Sequence, residues 1–191
     1  MPQAQVLSPS QFKSAMAVAN TTRHSLRNQL VLALSYYAAL RVGEIAALDI
    51  GQVYDAELQP RDTIVLYGRQ TKSGRHHTVY VHPKLSKLLT GYVDQLENKS
   101  ADAPLIQSQK NARRYNSNAL CRLFGQLYRK ANLYPHFTSH SGRRTFITNL
   151  ANANVNPKAI MELVNHKHLT TTQRYIETTP KQLANAVGLI K

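Results

Sequence analysis

The sequence predicts a mainly α-helical domain carrying one small antiparallel β-sheet, an α+β fold. Three features lead there. Apolar residues recur at helical spacing over most of the chain, the single stretch from Val53 to Val81 switches to β-type runs, and Ser-Pro and Asn-Pro pairs mark helix starts.

The elements follow in order. Ser8-Pro9 reads as an N-cap with proline in the first turn, and Phe12, Ala15, Met16 and Ala19 keep a helical period after it. A second helix is expected from about Thr22 to Ala39, with Leu26, Leu30, Ala33, Leu34 and Tyr37 on one side, and a short one over Val42–Leu48. Thr63–Tyr67 and Thr78–Val81 are rich in β-branched and aromatic residues; the polar, glycine-containing stretch Gly68 to His77 between them makes a hairpin with a basic tip. Pro83 opens a helix to about Asn98, packing Leu85, Leu88, Leu89 and Val93. The loop Lys99–Pro104 is the best candidate for a weak internal boundary. Helices are then expected at Asn116–Ala131, from Thr138 or Ser139 to about Ala153, from Asn156-Pro157 to Asn165, at Thr170–Tyr175 and at Pro180–Val187.

Hydrophobic residues make up 42% and charged residues 18% of the 191-residue chain, which suits a folded domain rather than disorder. The net charge is +14 and uneven: residues 1–100 hold 11 Lys and Arg against 7 Asp and Glu, residues 101–191 hold 13 against 3. Such a surplus attracts polyanions, nucleic acid first among them. The single cysteine, Cys121, excludes an internal disulfide, and its apolar neighbours predict a buried structural thiol. Met1–Gln5 lacks the pattern of a signal peptide, and the longest apolar run, near Leu30–Leu40, is too short to span a bilayer; a cytoplasmic location without membrane attachment is the expectation. No zinc-type Cys/His set and no phosphate-binding glycine loop occur, so no metal or other cofactor is expected.

Four segments carry chemistry. In Phe137–Thr148, His140 and Arg143 stand three apart and share a face of a helix starting near Ser139. Taken alone, that pair reads as a capping histidine and a solvated arginine. In Leu163–Tyr175, His166 stands at a helix end, after Asn165, a residue suited to the left-handed turn that closes helices. Tyr175, beside four polar residues, is a poor candidate for a deep core position. In Ala38–Leu48, Arg41 sits in an apolar stretch and needs a partner; Glu44, three residues on, supplies it, either as an inert buried ion pair or to hold the guanidinium toward a phosphate. At the hairpin tip, Lys72, Arg69 and Arg75 suit contact with a phosphate backbone, although charged tips are more often merely solvated.

Together these segments resemble the catalytic domain of the tyrosine recombinase (phage integrase) family, over nearly the whole chain from Ser8 on. The family's arginine in an LR-x-G-E segment falls on Arg41, its hairpin lysine on Lys72, its His-x-x-Arg motif on His140 and Arg143, and its last histidine and tyrosine on His166 and Tyr175. Arg143 to His166 spans 23 residues and His166 to Tyr175 spans 9, both as the family prefers. Three positions depart from the pattern: Gly142 where leucine is frequent, Arg144 where histidine is, and Asn165 where glycine usually precedes the histidine. None removes a catalytic side chain.

The resemblance implies a site-specific recombinase that integrates, excises or inverts DNA. Arg41 and Arg143 would bind the scissile phosphate, Lys72 would be the general acid, His166 a phosphate ligand, His140 a positioning group and proton acceptor, and Tyr175 the nucleophile forming a 3′-phosphotyrosyl link. Glu44 would support Arg41, and Arg69, Arg75, Arg144 and Lys167 would contact DNA. It further implies double-stranded DNA as partner, a dimer on each site and a tetramer in synapsis, an accessory DNA-bending protein, and a nucleoid-associated location. A type IB topoisomerase-like relaxing enzyme and a non-catalytic DNA-binding regulator of the same fold are the competing readings. Residues 1–191 are read as one catalytic domain without a separate N-terminal DNA-binding domain, either as a natural minimal enzyme or as an excised piece. The amphipathic tail 176–191 would pack on its own core or on a neighbouring subunit.

Overall fold

The computed structural model describes residues 4–108, 111–173, 175, 187 and 188. Helix α1 (Pro9–Asn20) starts on a capping box in which Ser8 Oγ accepts from the Gln11 backbone and the Gln11 side chain accepts from the Ser8 N–H. Helix α2 (Ser25–Tyr37) is the axis of the fold: Leu30 to Leu34 are buried in unbroken succession, so its middle is apolar all round and surrounded by other elements. Helix α1, α5 (Pro83–Tyr92), α6 (Ser117–Lys130) and α7 (Ser141–Asn152) pack around it. The α2 start is later than the apolar pattern predicts, because the Thr21 and Thr22 hydroxyls and N–H groups satisfy the last carbonyls of α1 and make residues 21–24 the turn.

Helices α3 (Val42–Ala47) and α4 (Ile50–Val53) lead into the only sheet among the described residues, β1 (Thr63–Leu66) antiparallel to β2 (His77–Tyr80) with Thr63 opposite Tyr80. One face of the hairpin buries Ile64, Leu66 and Val79. The Pro83 helix stops at Tyr92 and tightens into a 3-10 turn over Val93–Gln95 rather than running to Asn98.

The expected boundary at Lys99–Pro104 is corrected. Ala103, Leu105 and Ile106 are buried in the main core, Ile50 donates to the Ala103 carbonyl, and Leu105 donates to Leu48, so this loop is stitched into the frame. Cys121 is also corrected: it is exposed, with Sγ 3.7 Å from Ser139 Oγ. The buried stripe of α6 is Leu120, Phe124, Leu127 and Tyr128, and Cys121 lies one residue, about 100°, off it.

Asparagines close the later helices. Asn132, Asn154 and Asn165 follow α6, α7 and α8 (Pro157–Leu163) with φ of 57°, 58° and 49°. At Asn165 the His166 N–H bonds the Met161 carbonyl and the Asn165 N–H bonds that of Glu162, the paired pattern of a Schellman end. Helix α9 (Leu169–Gln173) follows. Of the helix expected at Pro180–Val187 and the tail's apolar positions Leu183, Ala186, Val187 and Ile190, only Val187 is among the described residues, and it is exposed. Among the described residues no helix is long and apolar enough to cross a membrane.

Candidate active site

Helices α3, α7, α8 and α9 and the hairpin bring their ends together at one face. Arg41 is the N-cap of α3. Its Nη1 lies 2.8 Å from Glu44 Oε1, while Glu44 Oε2 accepts from the Arg41 backbone N–H at 2.7 Å. Glu44 is almost wholly buried and Arg41 remains partly open, so one carboxylate fixes both the backbone and the head group of the arginine. The end of α3 is pinned by Arg114, which donates to the Ala46 and Leu48 carbonyls and pairs with Asp49.

Arg143 is buried and donates from Nη1 to the Ala39 carbonyl at 2.6 Å and from Nη2 to the Val164 carbonyl. Burial first, and the Arg41 charge second, push its pKa down to about 10, which still leaves it charged at neutral pH. The two arginines thus carry two positive charges against the one buried carboxylate of Glu44, which leaves a net positive charge.

His140 is placed differently from the expectation. Helix α7 begins at Ser141, later than expected, and His140 is its N-cap in αR conformation, its carbonyl accepting from the Arg144 N–H. The reason lies in the preceding turn: the Ser141 N–H bonds the Thr138 carbonyl, and Ser141 Oγ accepts from the Thr138 N–H. The residue is open to solvent. Atoms packed about its ring, then the charges of Arg143, Arg41 and Lys72, lower its pKa below the usual imidazole range.

His166 is buried, with Nδ1 2.8 Å from Thr172 Oγ1. Burial, followed by Arg143 and Arg41, pushes its pKa down to about 4, so the ring is neutral at pH 7. Tyr175 lies over it, ring centroids 6.1 Å apart. The Tyr175 ring packs beside the small apolar cluster of Ala39, Ile147, Ala151, Ile160 and Val164, within electrostatic reach of Arg143.

Lys72 is exposed in the hairpin connection, close enough for its charge to act on His140. Arg69 and Arg75 are exposed on the same connection, Arg69 over the Tyr67 ring at 5.4 Å. Lys167 is exposed next to His166. Arg144, partly buried, donates to the Ala4 carbonyl and sits over the Tyr175 ring at 5.7 Å.

Sequence reasoning missed two participants. His77, at the start of β2, hydrogen-bonds the Leu163 carbonyl and lies within the field of Glu44, Arg143 and Arg41; burial, the largest influence, lowers its pKa. It lines a cleft of about 660 Å³ with Arg75, Asn165 and His166. Thr172 is fully buried against His166. Neither could be found from spacing, since a strand histidine and a helix threonine are ordinary residues until the chain folds them onto this face. Among the described residues no three His, Cys, Asp or Glu side chains gather as a metal ion would need.

Known proteins share this arrangement of chain. Tyrosine recombinase XerC of Rickettsia canadensis is 31% identical over 160 residues, covering 84% of this chain and 50% of that protein. Its Rickettsia typhi counterpart is 31% identical over 158 residues, covering 83% and 49%. The chain therefore spans about half the length of the curated relatives it matches. Among solved structures, XerA recombinase superposes with a TM-score of 0.76 at 23% identity, over 98% of this chain and 63% of that one. The Tn1549 transposon integrase in complex with transposon right end DNA gives 0.75 at 17%, over 100% and 67%, and a lambda integrase dimer bound to a COC′ core site gives 0.71 at 16%, over 95% and 62%. At those identities the structural likeness is one of fold. The sequence pattern of the phage integrase family matches residues 5–182, nearly the whole chain, and the chain belongs to that family.

Proposed function

We propose that the chain is the catalytic part of a site-specific DNA recombinase that cuts and rejoins double-stranded DNA through a 3′-phosphotyrosyl intermediate. The observation that carries this reading is the convergence of Arg41, Arg143, His140, His166 and Tyr175, far apart in sequence, at one basic face with the Lys72 hairpin beside it. The net charge of +14 suits a DNA partner.

The chemistry follows from what each group can hold. A phosphodiester needs its charge neutralised and its leaving alkoxide protonated. Arg41 and Arg143 bind the non-bridging oxygens; guanidinium stays charged and fits two oxygens at once, and preorganised charge counts most where charge develops. Arg143 cannot swing away, because two backbone carbonyls hold it. His166 is neutral, and in the tautomer whose Nδ1 accepts from the Thr172 hydroxyl its Nε2–H is free to donate to a phosphate oxygen. Tyr175 Oη attacks phosphorus while the bond from phosphorus to the 5′ oxygen breaks. The phenolic proton passes to His140, which is neutral at pH 7, and Lys72 gives a proton to the departing 5′ oxygen. The products are a 3′-phosphotyrosyl link and a 5′ hydroxyl. The link keeps the energy of the broken ester, so a 5′ hydroxyl of another duplex can reseal it without ATP.

Within this reading, residues 1–191 act as the catalytic domain, Arg69, Arg75, Arg144 and Lys167 are contacts to the DNA backbone, and residues 176–191 pack on their own core or on a neighbour. Dimers form on a site and tetramers in synapsis, with an accessory DNA-bending protein, on the nucleoid.

The test is covalent trapping. A pool of nicked duplexes with randomised flanks is incubated with the chain, and SDS-resistant adducts are captured and sequenced. An adduct with the wild type that is lost in Tyr175→Phe supports the reading; no adduct from any duplex overturns it.

A further inference from the structure

Asn165 stands in a left-handed turn, φ 49°, directly before His166. Glycine takes that conformation freely, and family members usually have it there, but glycine has no side chain to reach outward. Here the side chain is used. Asn165 Nδ2 donates to Ser73 Oγ at 3.0 Å, joining the end of α8 to the hairpin loop 92 residues earlier in sequence.

The contact feeds a closed set of hydrogen bonds around Lys72. Ser73 Oγ accepts from Asn165 and, at 3.4 Å, from the Arg75 N–H, so its own proton is left for Thr71 Oγ1 at 3.3 Å. The Thr71 hydroxyl donates onward to the Arg75 carbonyl at 2.8 Å. With these roles Ser73 Oγ accepts twice and donates once, while Thr71 Oγ1 accepts from Ser73 and donates onward. Both residues flanking Lys72 are thereby fixed, although Lys72 itself is exposed. The other end of the loop is held by Gln70, whose side chain bonds Gln52 and the Ala47 carbonyl. A loop that is fixed only by Gln70 could hinge; fixed by Gln70 and Asn165, it presents Lys72 from one position.

We propose that Asn165 is a positioning residue: through Ser73 it holds the loop carrying Lys72 against the site, a strut that relatives with glycine at this position lack. The inference rests on the reading of Lys72 as the acid that protonates the leaving 5′ oxygen. A misplaced acid is costly, since a shift of about 1 Å in a reacting group can reduce a rate by roughly 100-fold. The strut also links two groups that must act together, Lys72 on the hairpin and His166 one residue beyond Asn165.

The experiment uses the full chain and one duplex recovered by covalent capture, made in two forms. One has an ordinary scissile phosphodiester. The other has sulfur in place of the bridging 5′ oxygen, whose thiolate leaves without needing a proton. Adduct formation is timed for the wild type, Asn165→Gly, Ser73→Ala, the double variant and Lys72→Ala. Asn165→Gly keeps the left-handed turn, and Ser73→Ala removes the other end of the strut without touching the turn at all. The expected result is a roughly 10-fold slowing of each single variant on the phosphodiester, no further slowing in the double, and rates near wild type on the sulfur-bridged duplex, with Lys72→Ala showing the same rescue from a deeper loss. Equal slowing on both duplexes would mean that Asn165 merely ends a helix, and unchanged rates on both would mean that the bond has no consequence; either overturns the proposal. If Lys72→Ala is not rescued while the wild type still forms adducts, the assignment of the acid fails rather than that of the nucleophile, and the strut's purpose fails with it.

Discussion

The Arg143 guanidinium donates to the carbonyl of Ala39, 104 residues earlier, and Ala39 holds that carbonyl out by standing in the left-handed conformation at φ 53°. A left-handed alanine costs about 1 kcal/mol. The turn it makes between α2 and α3 is the one that brings Arg41 to the site, and the same guanidinium reaches the Val164 carbonyl in front of His166. One buried arginine therefore ties together the backbone segments that carry Arg41 and His166.

Arg143→Lys is accordingly not a conservative change. An ammonium cannot span both carbonyls, and one buried acceptor loses its partner. The loss of stability is expected to be roughly 1–3 kcal/mol, and adduct formation on a captured duplex should fall by at least about 100-fold. Thermal melting and adduct yield check the two effects separately; a lysine variant that melts and cleaves like the wild type would show that bidentate holding is unimportant.

Gly142 has a physical explanation in the packing of α7 on α2. A Cβ at this position would lie 2.6 Å from Ser35 Oγ and 3.0 Å from the Ser35 Cβ. Glycine at this position is thus a matter of close helix approach. Gly142→Ala should cost about 1–3 kcal/mol by overpacking. Adding Ser35→Ala removes the nearest clashing atom and should recover part of that loss. Urea midpoints of the two variants decide the matter, and a Gly142→Ala chain as stable as the wild type would refute the contact.

Much of this was readable in the chain itself. The hairpin, the capping of α1 by Ser8 and the left-handed Asn165 all follow from local chemistry, and the order of Arg41, His140, Arg143, His166 and Tyr175 carries the family. What was not readable depends on long-range packing. His77 looks like a strand residue, and only the docking of β2 on α8 turns its ring to the Leu163 carbonyl. Cys121 sits among apolar neighbours, but the core touches only one stripe of α6 and leaves it outside. The loop after Lys99 is polar enough to suggest a boundary, yet its backbone bonds to Leu48 and Ile50 decide otherwise.

Thr172 is buried with no exposed surface, and its hydroxyl is the partner of His166 Nδ1. Thr172→Val keeps the shape and removes the bond. The ring then loses the contact that sets its tautomer and tilt, and catalysis should drop by roughly 10-fold or more, in line with the loss of a supporting hydrogen bond behind a functional histidine. Stability should fall by only about 1 kcal/mol. Thr172→Ser, which restores the hydroxyl, should recover most of the rate. A valine variant with unaltered cleavage kinetics would remove Thr172 from the site.

The neutral state of His166 sets a pH dependence whose sign can be worked out. Unfolded, the imidazole takes up its proton near pH 6.5; folded, burial and the two arginines delay this to about pH 4. Between those values the unfolded chain binds more protons than the folded one, so stability falls as the pH drops through that window. The stabilisation is fully present above about pH 6.5, and its loss approaches roughly 3 kcal/mol below about pH 4. His140, His77 and His24 are shifted in the same direction and deepen the fall. Urea unfolding at about pH 7 and about pH 4.5, for the wild type and for His166→Gln, isolates the contribution of this one ring. Glutamine cannot take up the proton, so the variant should lose less stability on acidification than the wild type does. An equal loss in both would mean that His166 is protonated in the folded protein as readily as in the unfolded one, and that burial and the two arginines do not hold its ring neutral.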